Sequence, residues 1–259
     1  MCTETDEWHA AGMLEELKPL IGVICREPFT VRASVEKPAD RPGAKLVHWF
    51  RHGEAYHNLL ASIHRKQKMD GHPYGFAEGK DAPLTPLGCE QAAALRQHAV
   101  TLKLNPQLVV VSPLARATKS GRIAFDHLVG KVPFLAHELC REISGINPCD
   151  ARQTRTEAKK DFPFVDYSLL ESDRDDYFNA GSREPKEVLC NRGYKFLDWL
   201  RTRPETEIAV CTHSSFLFAL FNVVIVLETD DKPGTGLAAW FGTGEMRSVY
   251  LSFEVGHRG

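Results

Sequence analysis

The tetrapeptide Arg51-His52-Gly53-Glu54 carries residue types that suit phosphate chemistry, and it directly follows the apolar run at residues 46–50. The run predicts a strand. The histidine then lies at the end of that strand, between an arginine and a glycine, with Asn58 shortly after it. In α/β proteins, ligands bind outside the carboxyl ends of the strands. We therefore expect His52 to face a ligand, and the neighbouring arginine favours an anionic one.

Three further predicted strands end at residues suited to the same chemistry. These junctions are residues 108–111 leading into Ser112-Pro113-Leu114-Ala115-Arg116, residues 132–135 leading into Glu138 and Glu142, and residues 208–211 leading into Thr212-His213-Ser214. A single histidine, arginine or glutamate can be a structural or solvent-facing residue. Repetition at four strand ends is hard to explain by packing alone, so the pattern favours one site for phosphate handling.

Predicted helices separate these strands along the chain. They cover residues 86–104, 115–129, 184–201 and 216–227, and the first has Thr85 as its N-cap and Pro86 in its first turn. The segments 237–241 and 246–253 predict two strands of a hairpin across the turn Gly242-Thr243-Gly244. The alternation of strands and helices predicts a sheet with helices packed on its faces.

Composition is that of an ordinary globular enzyme. With 259 residues, of which 43% are hydrophobic, the chain can bury a core as one α/β domain. The net charge of -2 argues against nonspecific binding of nucleic acid. The first residues lack the features of a secretory signal, and the apolar stretch at residues 216–227 is too short to span a bilayer. The seven cysteines include no Cys-x-x-Cys pair, so we expect a reducing, cytoplasmic location without membrane contact.

A break in the pattern near residues 37–43, which contain two prolines and a glycine, divides the chain. Residues 1–44 are predicted to be an N-terminal extension, with apolar residues at roughly helical spacing between Asp6 and Ile21. The extension either packs on the main domain or regulates it. Residues 45–259 are predicted to form the catalytic domain.

The ordered motifs resemble those of the histidine phosphatase superfamily, the phosphoglycerate mutase-like proteins. The matching segments are Arg51-His52-Gly53-Glu54 with Asn58, Leu84-Thr85-Pro86-Leu87-Gly88 with Gln91-Ala92, residues 112–117, and Thr212-His213-Ser214. The segment from Cys140 to Asp173 is similar to a branch of these proteins in plants and fungi. The resemblance runs from about Lys45 to the C-terminus, and it implies a three-layer α/β/α sandwich with a mostly parallel central sheet.

The resemblance implies phosphoryl transfer with His52 as the nucleophile. A neutral imidazole attacks phosphorus well, and the resulting phosphohistidine divides one difficult displacement into two easier ones. Arg51 and Arg116 can supply forked, charge-assisted hydrogen bonds to the phosphoryl oxygens. His213 can add a further donor and Asn58 a neutral one.

One carboxyl group can protonate the leaving oxygen and later accept a proton from water. Glu142 matches the acidic residue that the family carries after its third core segment, and it is our choice for this role. Glu138 lies one helical turn away and remains the alternative. Glu54 is expected to orient the loop or the imidazole ring through a hydrogen bond.

A metal site is the alternative interpretation of His48, His52 and His57. His48 lies within the predicted strand, so its side chain points differently from the loop residues, and the spacing does not form His-Glu-x-x-His. Two arginines and a second histidine can neutralise a phosphoryl group. We therefore expect neither a metal nor another cofactor.

The sequence is less informative about the substrate. The basic segments at residues 64–68, residues 152–155 and Lys159-Lys160 either contact further anionic groups or form solvated faces, and the loops at residues 71–75 and 79–81 suit substrate selection. We expect a phosphatase acting on a small-molecule phosphate ester. Thr212-His213-Ser214-Ser215 departs from the His-Gly-Asn-type sequence of the glycolytic mutases. A mutase and a catalytically weak interaction module remain alternatives, and the oligomeric state is open.

Overall fold

A computed structural model describes residues 4–23, 28–75 and 79–255 of the chain, and its centre is a twisted sheet. The strands in these ranges are β1 (Phe29–Ser34), β2 (Lys45–Arg51), β3 (Leu108–Val111), β4 (Phe134–Ala136), β5 (Glu207–Thr212), β6 (Val226–Leu227) and β7 (Met246–Val255). The α-helices are α1 (Glu4–Leu17), α2 (Tyr56–Lys66), α3 (Pro86–Thr101), α4 (Ala115–Ala124), α5 (Arg155–Asp161), α6 (Lys186–Thr202) and α7 (Ser214–Ala219).

The strand order across the sheet is β4-β3-β5-β2-β7-β1-β6. The first four strands in this order are parallel to one another, and β7 is antiparallel to both β2 and β1. A parallel arrangement brings the carboxyl ends of β4, β3, β5 and β2 to one edge of the sheet. These are the four strands whose ends carry the phosphate-chemistry motifs.

Hydrophobic clusters cover both faces of the sheet because successive strand residues point to opposite sides. On β3, Val109 and Val111 pack in a cluster with residues of α3 and α4, whereas Leu108 and Val110 pack in another with residues of α6 and α7. All four of these β3 side chains are buried, as expected for a strand with helices on both faces. The predicted three-layer α/β/α sandwich is confirmed.

The predicted extension at residues 1–44 contributes to the same core. Strand β1 pairs along its whole length with β7, from Phe29 opposite Val255 to Ser34 opposite Tyr250. Helix α1 buries Met13 and Leu17 in the cluster shared with α6 and α7. The segment therefore packs on the main domain and supplies a strand to its sheet.

The predicted hairpin at residues 237–241 and 246–253 is wrong in its first strand. Gly236–Ala238 form one turn of 3-10 helix, and the carbonyl oxygens of Leu237, Ala239 and Trp240 accept hydrogen bonds from the Arg247 guanidinium. Strand β7 already has β1 on one side and β2 on the other. Neither of its edges is open to a hairpin partner, so the apolar run before it folds as a loop.

Helix boundaries differ modestly from the predicted ones. The predicted helix at 115–129 ends at Ala124, and that predicted at 216–227 begins at Ser214 and widens into a π-helical turn at Leu220–Val224. Helices α2 and α5 were not predicted. None of the helices in the described ranges has both the length and the apolar character needed to span a membrane.

Candidate active site

The carboxyl ends of the parallel strands surround a cavity of about 140 Å³. Five of the predicted site residues line it: Arg51, His52, Asn58, Arg116 and Glu142. His213 lies immediately behind this lining, with its ring centre 5.0 Å from that of His52. The structure thus brings all six predicted side chains into one region, although they come from positions spread between Arg51 and His213 in the sequence.

The imidazole of His52 has its two nitrogens in different environments. Nδ1 lies 2.6 Å from the carbonyl oxygen of Gly53, whereas Nε2 lies 3.3 Å from Nε of Arg116. An arginine can only donate, so Nε2 must be the acceptor and Nδ1 carries the proton that is donated to the carbonyl. Burial lowers the pKa of His52 well below the ordinary histidine value, and the charges of Arg116 and Arg51 lower this pKa further. The ring is therefore neutral, with the Nε2 lone pair in the cavity.

Two glycines allow the turn after β2 to pack against the start of α3. A Cβ added to Gly53 would overlap the carbonyl oxygen of Gly88, and one added to Gly88 would overlap that of Glu54. Thr85 caps α3 by accepting a hydrogen bond from the Gly88 amide, as predicted. The Thr85 hydroxyl also donates to the Glu54 carboxylate at 2.8 Å. Glu54 thus holds the loop that presents His52, which is the orienting contact expected for it.

The Arg116 guanidinium is 1% exposed and is fixed on the side away from His52. Its Nη1 donates to the carbonyl oxygen of Cys149 at 2.6 Å, and its Nη2 lies 3.8 Å from the carboxylate of Asp150. The remaining edge of the guanidinium faces Nε2 of His52. A phosphoryl group on that nitrogen would lie directly against a positive charge that is already in place.

The two candidate carboxylates are in different places. Glu142 lines the cavity, and its oxygens accept hydrogen bonds from the backbone amides of Ile143, Ser215 and Phe216. Glu138 is buried outside the cavity lining, where its oxygens pair with Arg141 at 3.1 Å and Arg152 at 2.7 Å. Of the two, only Glu142 is placed to reach a bound phosphate ester.

Asn58 has a structural contact as well as a place in the cavity. It lies in the first turn of α2, and its side-chain oxygen accepts a hydrogen bond from the Ala55 amide at 3.0 Å. The contact uses the oxygen of the amide group, so the nitrogen of the same group remains as the donor. Asn58 can therefore offer the neutral hydrogen bond that was expected of it.

The family model of the histidine phosphatase superfamily (branch 1) matches residues 47–233, which is more than half of the chain. The chain belongs to the histidine phosphatase superfamily. A phosphoglycerate mutase-like protein of Arabidopsis thaliana is 36% identical over 207 residues, covering 69% of this chain and 74% of that protein. Phosphoglycerate mutase-like protein 1 of the same plant is 34% identical over 238 residues, covering 80% and 81% of the two chains.

Among solved structures, the ecdysone phosphate phosphatase from Bombix mori, in complex with tungstate, aligns with a TM-score of 0.50. The sequence identity is 14%, and the alignment covers 69% of this chain and 76% of that one. This likeness is one of fold. The predicted resemblance to the histidine phosphatase superfamily is confirmed by the family model and by the plant relatives.

The basic segments and loops that the sequence suggested for substrate binding lie mostly outside the cavity of this histidine phosphatase family member. Arg152 is buried and bonds to Glu138 and to backbone carbonyls, so the basic segment that contains it includes a structural residue. Arg65 stacks over the ring of Tyr74, which does line the cavity. Tyr74 belongs to the predicted selection loop at residues 71–75, and both this loop and the one predicted at residues 79–81 lie within the described ranges.

The alternative of a histidine metal site finds no geometric support in the described ranges. His48 faces away from the cavity and bonds to Ser248 at 2.7 Å and to Glu207 at 3.2 Å. In those ranges no group of three or more His, Cys, Asp or Glu side chains is arranged to hold a metal ion.

Several residues that line the cavity were not predicted. They are Asp6, His9, Ser62, Asn147, Asp150, Arg183 and Trp240. Asp150 stands in the segment similar to the plant and fungal branch, so that resemblance was a signal for it. Asp6 and His9 come from α1, whose contact with the site depends on how the helix packs rather than on any local motif.

Burial should make this fold sensitive to acid. Desolvation, followed by the charge of Arg116, lowers the pKa of both His57 and His213 well below the ordinary value, as it does for His52. In the unfolded chain each of these rings takes up a proton below about pH 6.5, while the folded rings stay neutral. The unfolded state then binds more protons, so stability falls as the pH drops, by at most about 1.4 kcal/mol per pH unit for each ring.

Denaturant unfolding between pH 7.5 and pH 5 measures this loss directly. The free energy of unfolding should be nearly constant above about pH 6.5 and should decline below it. The decline should be shallower in His57→Asn, which removes one of the three rings. An acid dependence as steep in that variant as in the wild type would show that His57 does not contribute.

Proposed function

We propose that this chain hydrolyses phosphate monoesters through a phosphohistidine on His52. The observation that carries the proposal is the fixed tautomer of a neutral, buried imidazole whose Nε2 lone pair faces the Arg116 guanidinium. A neutral ring is a nucleophile, and a guanidinium beside it attracts the phosphoryl group that the ring attacks. His52 and Arg116 together supply the nucleophile and the positive charge that the first step requires, at one point in the cavity.

In the first step, Nε2 of His52 forms a bond to phosphorus while the bond between phosphorus and the ester oxygen breaks. The leaving oxygen takes a proton from the carboxyl group of Glu142. Negative charge spreads over the three equatorial phosphoryl oxygens, and catalysis then depends on positioned donors. Arg51 and Arg116 are the charged donors that we assign to these oxygens.

His213 is suited to supply a further donor. Its Nε2 lies 2.8 Å from the hydroxyl oxygen of Ser112, and its Nδ1 is buried without a hydrogen-bond partner among the described residues. An unsatisfied buried polar atom is costly in a folded protein. We propose that Nδ1 donates to a phosphoryl oxygen held against His52, whose ring centre lies 5.0 Å away.

In the second step, water attacks phosphorus, gives a proton to the Glu142 carboxylate and releases inorganic phosphate and His52. The lining beside Glu142 includes the polar residues Ser214 and Ser215. Their side chains can hold a water molecule in this part of the cavity. This local sequence also departs from that of the glycolytic mutases, which favours transfer to water over transfer to a second hydroxyl group.

We further propose that the substrate is a small-molecule phosphate ester and that the enzyme works in the cytosol. The cavity of about 140 Å³ suits a phosphoryl group with a small leaving group or one end of a larger group. The cysteines of the described ranges, at positions 89, 140, 149, 190 and 211, are all unpaired. Unpaired cysteines are usual in a reducing compartment.

Rapid quenching during turnover of p-nitrophenyl phosphate tests the mechanism. We expect an acid-labile, base-stable phosphoryl group on His52, located by mass spectrometry of the peptides. His57, the neighbouring histidine of the cavity, is the matched control and should carry no label. Label on His57, on a serine or on a cysteine would contradict the proposal, as would turnover that persists in His52→Ala.

A measurement of products separates the phosphatase from a mutase. With a phosphorylated sugar acid as substrate, we expect release of inorganic phosphate in proportion to substrate consumed. An isomeric phosphate ester without release of phosphate would instead show transfer between hydroxyl groups.

A further inference from the structure

The first turn of α1 reaches the cavity from a part of the chain that precedes the family match. Asp6 is 6% exposed and lines the cavity together with Arg51. Its carboxylate oxygen Oδ1 lies 2.8 Å from Nη1 of Arg51, and it also accepts a hydrogen bond from the indole nitrogen of Trp240 at 3.0 Å. A carboxylate thus lines a cavity that is proposed to bind an anionic phosphoryl group.

The contacts of Arg51 are concentrated on one of its nitrogens. Nη1 donates both to Asp6 and to the carbonyl oxygen of Phe241, the latter at 2.7 Å. Nε is buried and has no hydrogen-bond partner in the described part of the chain. The guanidinium is therefore anchored through Nη1, while the buried Nε lacks an acceptor in the described part of the chain.

This arrangement suits a bidentate contact with a phosphoryl group. A guanidinium is planar, and the N–H groups of one edge are directed at two oxygens at once. Anchoring Nη1 fixes the plane and aims the edge that contains Nε. Phosphoryl oxygens would supply the missing acceptor for a buried donor that otherwise carries a desolvation cost.

We propose that Asp6 is a positioning residue that holds the Arg51 guanidinium in the orientation needed to bind the phosphoryl group. The inference rests on the proposed function, because it assigns Asp6 a role through phosphoryl binding by Arg51. The α1 helix then forms part of the active site in this chain. Its packing does not depend on Asp6 alone, because Met13 and Leu17 anchor the helix in the core. Substitution of Asp6 should therefore leave the fold in place.

A double-mutant cycle on Asp6 and Arg51 tests the proposal. In Asp6→Ala, we expect kcat for p-nitrophenyl phosphate to fall about tenfold, which is the scale of one lost charge-assisted contact. Asp6→Asn keeps an oxygen that can accept from both Arg51 and Trp240, so it should stay within about threefold of the wild type. Glu7→Gln, an exposed neighbour on the same helix, should not change kcat.

The cycle shows whether Asp6 acts through Arg51. In the Arg51→Ala background, Asp6→Ala should produce no further loss of kcat, because the group that it positions is gone. Losses that multiply in the double variant would show a general structural role and would overturn the proposal. A rise of kcat in Asp6→Ala would overturn it as well, because the carboxylate would then be competing with phosphate for Arg51.

The same experiments distinguish failure of this inference from failure of the proposed function. If the wild-type enzyme forms phosphohistidine and Asp6→Ala has the same kcat as the wild type, only the role of Asp6 is refuted. Wild-type enzyme that forms no phosphohistidine and releases no phosphate from any tested ester would refute the proposed function, and the role of Asp6 with it.

Discussion

Replacement of Arg116 with alanine should lower kcat by about 100-fold or more in a protein that still folds. The guanidinium is held in advance by Cys149, and its Nε lies 3.3 Å from Nε2 of His52, the nitrogen that we propose attacks phosphorus. In the proposed reaction the guanidinium meets the charge that develops on the phosphoryl oxygens, and a donor that is already in place does not have to reorganise. The loss should therefore appear mainly in kcat and less in KM.

Arg152→Ala is the matched control for this prediction. Arg152 is also a buried arginine with several hydrogen bonds, but it lies outside the cavity and pairs with Glu138. Its removal should cost about 3 kcal/mol of stability, with kcat changed less than about threefold. Steady-state kinetics and denaturant unfolding of both variants separate the two effects. Near-normal kcat in folded Arg116→Ala would show that this arginine is structural.

The regular geometry of an α/β sheet explains why so much of the site could be predicted from the sequence. Apolar runs such as residues 108–111 mark strands buried on both faces, and the next polar residues must lie at the sheet edge. Four parallel neighbours place those residues together. His52, Arg116 and His213 could therefore be assigned to one site, with their detailed roles left to the resemblance.

Long-range contacts could not be predicted in the same way. The run at residues 237–241 has the composition of a strand. Its carbonyl oxygens instead accept hydrogen bonds from the Arg247 guanidinium, and both edges of β7 are already paired with other strands. Strand β1 completes the sheet from a segment that the proline-rich break set apart. In both cases tertiary packing decides which segment pairs with β7, and the local periodicity of the sequence carries no information about that packing.

Asp6 shows the same limit at the active site. Its residue type and its place in the first turn of a helix are typical of a solvent-exposed acidic group. It meets Arg51, 45 positions later in the chain, because α1 packs into the core cluster that it shares with α6 and α7. The choice between Glu138 and Glu142 was also open in the sequence. It depends on tertiary contacts, because Arg141 and Arg152 form ion pairs with Glu138 and leave Glu142 in the cavity lining.

The contrast between these two glutamates gives the second large effect. In Glu142→Gln, kcat/KM for an alkyl phosphate should fall by about 100-fold to 1000-fold, because the poor leaving oxygen needs a proton as its bond to phosphorus breaks. An aryl phosphate leaves readily without that proton, so its kcat/KM should change less than about tenfold. Since kcat/KM covers the steps up to departure of the leaving group, the later attack by water does not obscure the comparison.

Glu138→Gln should behave differently in both respects. Its carboxylate pairs with Arg141 and Arg152 away from the cavity, so its loss should lower the free energy of unfolding while affecting the two substrates equally. The measurements are kcat/KM for the alkyl and aryl phosphates in both variants, together with denaturant unfolding. Equal losses for the two substrates in Glu142→Gln would remove it from the role of acid. A loss confined to the alkyl phosphate in Glu138→Gln would transfer that role to the buried carboxylate, despite its two arginine partners.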